Sequence, residues 1–582
     1  MRLNNKGMAI SGILYSILVL FIVLVFGLLS LLSSTKYSFD KFKHDLKSKL
    51  EAVNFKYGHE DYMLGDGSDI GTSDTIIYSL YKDEYNDIKS VNIVSKSSVP
   101  ADAIKVNDLS KTRNNKVRSY LIARPESGYD LYIISDSMIY GNYNSSGFFN
   151  GLSSVESYDL SNFDTGTISN MASMFQSNTS LKTVDVSNFN MSNVTTIQNM
   201  FFNCGNLETL DVSNWDTSNI TQMNNVFNDC VNLQELDVSN WDVSKVTNMY
   251  HLFENCASIE ILDVSKCNTS NLTNAAYLFG SDNSRTMALK QIIGIENLDT
   301  SNVTNMEGMF AYCGNLLSLD LSKWDTGNVT TMAFMFNNAV NIEELNVSGW
   351  NTSNVTTMGS MFNGMKKLVS LIGISDFNTS NVKNMAYLFN YCREITSLDL
   401  SSWNTSNVTS LERAFCECPK LVSISFENWN TSNVTNMSYL FSGDNSLETI
   451  NVSKWDTSNV TNMRNIFAYL YKISNLNVAN WNVSNVVNLY WAFYNNPLIT
   501  TLDLSGWEIY ESTANQEIFF TLKATTVILK DATIANRMGK YLPDRTTTTS
   551  GTLVIKGDTT GIDKSAIEAL NWQVYDKDGN QL

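Results

Sequence analysis

Three histidines, His44, His59 and His251, occur in 582 residues, which leaves little material for a metal centre or for acid–base work near neutral pH. The eight cysteines are placed by a different rule. Six of them (Cys204, Cys230, Cys256, Cys313, Cys392 and Cys418) stand three residues after a phenylalanine that itself recurs. Cysteines tied to a repeat in this way are expected to be small buried fillers. Cys416 and Cys418 lack the two-residue gap of a zinc knuckle, no second pair follows, and nothing requires a disulfide. A third series is acidic: Asp185, Asp211, Asp237, Asp263, Asp320, Asp399 and Asp503 share one strand position facing away from the expected core. Such a stripe could bind cations or a basic partner. It could equally be a solvated face that guards strands against aggregation, the reading favoured here. No nucleophile–His–Asp set, phosphate loop, HExxH or calcium-loop pattern is present. The expectation is therefore no catalytic, cofactor-binding or metal-binding residue, no cofactor and no enzymatic activity. The sequence singles out no ligand-binding residue.

The net charge of −18 and pI of 4.7 argue against nucleic acid as a partner, since that affinity comes mainly from neutralising phosphates with Lys and Arg. No small-molecule substrate is evident either.

What must position these residues is a repeat. Phe163, Phe189, Trp215, Trp241, Cys267, Leu298, Trp324, Trp350, Phe377, Trp403, Trp429, Trp455, Trp481 and Trp507 follow one another in steps of 26, except one of 31 and one of 27. A phenylalanine follows each of them twelve residues later, from Phe175 through Phe227 to Phe519. A fixed period of this size signals a solenoid of about 14 units. Leu207, Leu210 and Val212 give the LxxLxL strand signature of a leucine-rich repeat, and strands about 4.8 Å apart would stack over roughly 65 Å. The return leg reads as a short helix, because Ile220, Met223, Val226 and Phe227 recur at spacings of three and four. Asn219 and its counterparts are then helix caps or an inter-rung ladder. The tryptophans are expected in the core, because their position also accepts Phe, Cys and Leu. That assigns Leu207, Leu210, Val212, Trp215, Ile220, Met223 and Phe227 to the scaffold and leaves Glu208, Thr209 and Asp211 for recognition. Gly294 and Gly373 each accompany one extra residue and read as bulges. The insertion at 280–288 reads as a tolerated surface loop rather than a recognition loop. The frequent N-x-T/S triplets follow from the repeat itself and are weak evidence for glycosylation.

Outside the repeat, residues 8–32 carry no charge and are long enough for a helix to cross a ~30 Å hydrocarbon core. Such a length favours an uncleaved anchor over a signal peptide. Phe39, Phe42, Leu46, Leu50 and Val53 suggest a helical stalk beyond it. Five lysines after the span lean towards a cytoplasmic body by positive-inside counting. Asn5-Lys6-Gly7-Met8 before the apolar run resembles the start of type IV prepilin-like proteins, which implies cleavage after Gly7 and a body outside the membrane. Gly12 stands where that family carries Glu. The expected organisation is an anchor at 1–35, a stalk at 36–60, a β-rich cap at 61–150, the leucine-rich-repeat-like solenoid at 151–522 and a C-terminal cap at 523–582. Its fold class is α/β, with a parallel sheet on one face and short helices on the other. No second span and no sorting signal follow, so the evident anchor is N-terminal.

Units such as LETINVSKWDTSNVTNMRNIF at 447–467 resemble the BspA-like leucine-rich repeat surface proteins of bacteria. The resemblance implies an extracellular, non-enzymatic protein of adhesion or host-surface interaction. With the N-terminal run it gives the expectation of a single-pass, membrane-anchored bacterial surface protein that binds a protein partner on host or bacterial surfaces. A pilin-like subunit of a surface assembly is the alternative.

Overall fold

The computed structural model describes residues 60–65, 75–282, 285–510, 513 and 516–582. The anchor at 1–35 and nearly all of the stalk at 36–60 lie outside them. Among the described residues no helix is long and apolar enough to cross a membrane.

Each repeat unit forms one rung, and successive rungs are joined along two parallel ladders. The first runs through the LxxLxL segments. Ser318–Asp320, Glu344–Asn346 and Ser370–Ile372 pair as three-residue parallel strands, as do Ser397–Asp399 and Ser423–Ser425. Single bridges such as Thr183 to Thr209 to Glu235 continue the pattern elsewhere. The second ladder lies on the return leg and bridges Asn144, Asn170, Thr196 and Gln222 onward to Asn462 and Asn488. Thr221 N–H donates to Thr195 O on this side at 2.9 Å, and its hydroxyl reaches the same carbonyl at 3.2 Å.

Among the described residues, no return leg before residue 507 forms the short helix expected there. Residues 224–229 are turns and bends, with Asn225 and Asp229 both in the left-handed region at φ 57° and 62°. Two such residues four apart break any α-helix. The backbone donors go to the neighbouring rung instead: Asn225, Phe227 and Asp229 donate to Tyr250 O, Leu252 O and Glu254 O at 2.9–3.1 Å. Asn219 is accordingly not a cap. Its amide donates to Ser192 O of the preceding rung at 2.8 Å, and Asn433 and Asn459 do the same to Ser406 and Ser432. The extra residue at Gly294 and Gly373 is absorbed by a left-handed glycine opening a 3-10 turn at Ile295–Asn297 and Ile374–Asp376. A Cβ at either position would run into the backbone of Ser265 or Ser348.

Between the ladders lies the core. Phe175, Phe201, Phe227, Phe253 and their successors stack rung on rung, as in Phe175 on Phe201 at 5.3 Å and Phe336 on Phe362 at 5.9 Å. The tryptophans form a second column, with Trp215 on Trp241 and Trp324 on Trp350 at 6.2 and 6.3 Å. Eight of the nine rings spend their one donor inside the stack, for example Trp215 Nε1–H on Val186 O at 3.2 Å and Trp403 Nε1–H on Ile374 O at 3.1 Å. Where Cys267 and Leu298 replace the indole, an apolar void of about 20 Å³ remains. Indole volume is what closes the column.

Both ends extend the rung stack. Strand Ile88–Ser95 pairs in parallel with Tyr129–Ser135 on one side and with Ser157–Asp159, the first rung, on the other. Arg118–Ala123 and Ile104–Asp108 complete that sheet in antiparallel fashion. At the far end Thr501–Leu504, Thr526–Leu529, Gly551–Ile555 and Trp572–Asp576 form one parallel sheet. Here the connections do hold helices, Ala532–Met538 and Ser565–Ala569, the first capped by Asp531 accepting Ile534 N–H at 2.9 Å.

Candidate binding surface

The residues with chemical potential divide by side of the rung. On the strand side, the aspartates that form the acidic stripe are engaged locally. Asp211 Oδ1 accepts Ser213 N–H at 3.1 Å and Ser213 Oγ–H at 2.7 Å, and Asp185, Asp237, Asp263, Asp320 and Asp399 accept the backbone N–H of the serine two residues on. These hydrogen bonds stabilise the carboxylate and lower its pKa. Asp503 is held by Lys556 Nζ at 2.7 Å. The stripe therefore shapes the turn after each strand. Glu208 pairs with Lys182 at 3.7 Å, and Thr209 Oγ1 donates to Thr183 Oγ1 at 3.2 Å, so the three residues left for recognition on that rung are bound into neighbours as well. An open groove of about 860 Å³ lies on this side, bordered by Glu235, Asp237, Glu260, Ile261 and Asp263.

The cysteines do not come together as ligands. All eight are free, and the six in the repeat series are buried. Cys204, Cys230 and Cys418 Sγ each donate to the phenylalanine carbonyl of the preceding rung at 3.0–3.2 Å. Burial pushes the Cys204 thiol up to about 12, which keeps the proton needed for this bond. Among the described residues no group of three or more His, Cys, Asp or Glu could hold a metal ion.

The return leg differs. Two residues before each repeat phenylalanine the backbone is left-handed, with φ between 51° and 59° from Ser173 and Asn199 to Trp491 and Glu517. The N–H groups at this position point along the stack, as Tyr387 to Glu412 O at 2.7 Å and Tyr439 to Arg464 O at 2.7 Å, so the side chains form one column on the return leg. In it Phe334 is exposed, Tyr387, Arg413, Tyr439 and Trp491 are half-buried, and His251 and Ser360 are buried. Their identities change from rung to rung: Asn225, His251, Tyr277, Phe334, Ser360, Tyr387, Arg413, Tyr439 and Trp491. A left-handed residue that is neither Gly nor Asn costs roughly 1–2 kcal/mol, and the inter-rung ladder imposes the conformation whatever the side chain.

Two clusters arise on this face. Towards the C-terminus, Arg413 lies 4.0 Å from the Tyr439 ring and 5.9 Å from that of Tyr387, and Arg464 lies 5.1 Å from Tyr490. Trp491 stacks on Tyr494 at 4.9 Å and donates from Nε1 to Glu517 Oε2 at 2.7 Å, with Phe520 half exposed beyond it. Towards the middle, His251, Glu254, Asn228, Asp229, Asn255, Tyr250 and Asp282 line a depression of about 460 Å³. Burial lowers the His251 pKa to about 4, opposed by Asp282. Sequence reasoning passed over this cluster. Its signal was there: His251 is the single histidine of the repeat region, and Glu254 the single charged residue directly after a repeat phenylalanine.

Residues 143–211, 199–291, 281–373, 341–424 and 409–531 match a family model described as "Mycoplasma protein of unknown function, DUF285". No curated protein matches the chain. Fourteen chains of solved structures do. One, from "Crystal structure of TLR13-ssRNA13 complex", has 15% identity and a TM-score of 0.21, the match covering 73% of this chain and 60% of that one. The chain thus spans under two thirds of that protein's length, and a likeness of this degree carries no argument about shape or ligand.

Proposed function

Because the chain belongs to the DUF285 family of Mycoplasma proteins of unknown function, whose matches run from residue 143 to 531, we propose that its leucine-rich-repeat-like solenoid is a non-enzymatic binding surface of a membrane-anchored bacterial surface protein, engaging protein partners on host or bacterial surfaces. One observation carries this reading. Core, ladder and turn residues repeat, while the outward column running from Asn225 through Arg413 to Trp491 varies on a fixed backbone. An array built in this way changes its ligand without changing its fold. Arg, Tyr and Trp, the residues gathered around Arg413, Tyr439 and Trp491, are also those that supply most binding energy at protein interfaces.

The uncharged run at 8–32 supports anchoring, and Asn5-Lys6-Gly7-Met8 supports a body outside the membrane. Protease treatment of intact cells tests the location. The repeat region is expected to be removed together with control surface proteins. Its survival while those controls disappear would place the body on the other side and end the adhesion reading.

A further inference from the structure

Two arginines converge on Tyr439. The guanidinium carbon of Arg413 lies 4.0 Å from the centre of its ring and that of Arg464 lies 5.9 Å from it. Further rings flank the pair, Tyr387 at 5.9 Å from Arg413 and Tyr490 at 5.1 Å from Arg464. All five side chains are half-buried. The inter-rung ladder fixes their order, since the N–H groups of Tyr387, Arg413 and Tyr439 donate to Glu412 O, Ser438 O and Arg464 O at 2.7–2.9 Å.

Neither guanidinium has a counter-charge. Elsewhere on the repeat, cations reach across rungs to acids, as Lys182 to Glu208, Lys290 to Glu260 and Lys420 to Glu394. Among the described residues no carboxylate stands within ion-pair distance of Arg413 or Arg464. Arg413 Nη1 meets Cys416 Sγ at 4.0 Å. Glu412 and Glu517 serve neutral groups: Glu412 accepts from Tyr387 Oη and Asn436 Nδ2 at 3.0 Å, and Glu517 from Trp491 Nε1 at 2.7 Å. Two like charges around one half-buried ring repel each other, and water screens them less than it would in the open. A guanidinium packed on a ring is held by its face, and its N–H donors remain to form the fork that matches a carboxylate.

Spacing and neighbours select the anion. Both guanidiniums lie over Tyr439, so they are no more than about 10 Å apart, the reach of three extended residues at ~3.3 Å each. Beyond Arg464 the strip turns apolar. Tyr490 stacks on Trp491 at 4.8 Å, Trp491 on Tyr494 at 4.9 Å, and Phe520, 49% exposed, lies 5.7 Å from Tyr494. A sulfated or phosphorylated chain would set charge against these rings along its whole length, and a molecule of net charge −18 repels it. A short peptide segment with two carboxylates followed by apolar side chains meets both halves of the strip.

We propose that the Arg413–Trp491 strip docks an acidic segment of a partner protein. Two carboxylates three residues apart pair with Arg413 and Arg464, and the apolar residues next to them cover Trp491, Tyr494 and Phe520. This rests on the binding role proposed above and names the chemistry of its partner.

Calorimetric titration of the full-length chain tests the strip. The probes are acetyl-Glu-Ala-Ala-Glu-Leu-Phe-amide, the same peptide with Gln for both Glu, and a heparin oligosaccharide. The acidic peptide is expected to bind, and its Gln counterpart to bind at least about tenfold more weakly, the loss of charge-assisted hydrogen bonds. Arg413→Gln and Arg464→Gln are each expected to weaken the acidic peptide by about tenfold for the same reason. Lys182→Gln, which removes a cation at the other end of the solenoid, is expected to leave it unchanged. Thermal unfolding of the variants is expected to match the parent. If an arginine variant unfolds, the parent decides with both peptides and added sodium chloride, since binding through paired charges weakens with salt. Equal binding of the two peptides, binding that neither arginine substitution changes, oligosaccharide binding without peptide binding, indifference to salt, or no binding of either peptide overturns the assignment. A chain that still loses its surface proteins on Trp491→Ser after such a result keeps the binding role without this charge preference.

Discussion

Asp444 stands where most other rungs place cysteine or asparagine, three residues after a core phenylalanine. Asn496 shows what that position does. Its Oδ1 accepts Leu470 N–H at 2.9 Å, and its Nδ2 donates to Phe467 O at 2.8 Å. Asp444 repeats the first contact, accepting Cys418 N–H at 2.9 Å through Oδ1, but its buried Oδ2 has no partner. Only a protonated carboxyl can donate there, and burial holds the Asp444 pKa well above the ordinary aspartate value. A folded-state pKa raised above the unfolded one means that the native chain binds the extra proton. Its contribution to stability is complete below the unfolded value near ~3.9 and is lost as pH rises through the folded value. Asp444→Asn, which supplies a permanent donor, is expected to raise stability at neutral pH by about 1–3 kcal/mol. The gain should shrink as pH falls towards the unfolded range. Thermal unfolding of parent and variant across pH measures it, and a constant difference at every pH would contradict the assignment.

At the scale of one rung, stability comes from the stacked rings. Trp455 is packed between Trp429 and Trp481 at 6.2 and 6.3 Å. Trp455→Ala should destabilise by about 3–5 kcal/mol through lost burial and the cavity left behind. Partner binding per folded molecule should be unchanged. Lost binding with unchanged melting would instead make the indole a ligand contact. The rung's interior was legible in the sequence because periodicity reports burial: Leu207, Leu210, Val212, Trp215, Ile220, Met223 and Phe227 are all buried. The shape of the return leg was not legible. Apolar spacings of three and four arise from an α-helix, but also from a turn that reverses at two left-handed residues four apart. Glycine marks only three of those positions, Gly308, Gly364 and Gly443, while others hold Asn225, Asp229, His251, Tyr387, Arg413 and Trp491. Only Asn, Asp and His among them favour that conformation. For the same reason the outer column was hidden. Recognition was sought on the strand side at Glu208, Thr209 and Asp211, where the structure finds side chains tied to their neighbours.

For the whole molecule, two ladders carry each rung's register to the next, so changes on the outer face stay local. In a chain of net charge −18, three of the four arginines within the repeat region, Arg393, Arg413 and Arg464, lie over tyrosine rings. On the proposed binding role, scaffold and specificity reside in different residues, which is the central claim. It is tested most directly by replacing Tyr387, Arg413, Tyr439 and Trp491 together with serine, a residue the same left-handed column already holds at Ser173 and Ser360. Full-length parent and variant are compared for thermal unfolding and for retention of host or bacterial surface proteins. The expected result is melting close to the parent's with retention reduced at least about tenfold, as befits loss of several interface anchors. A variant that melts as the parent does and retains the same proteins equally well would contradict the account.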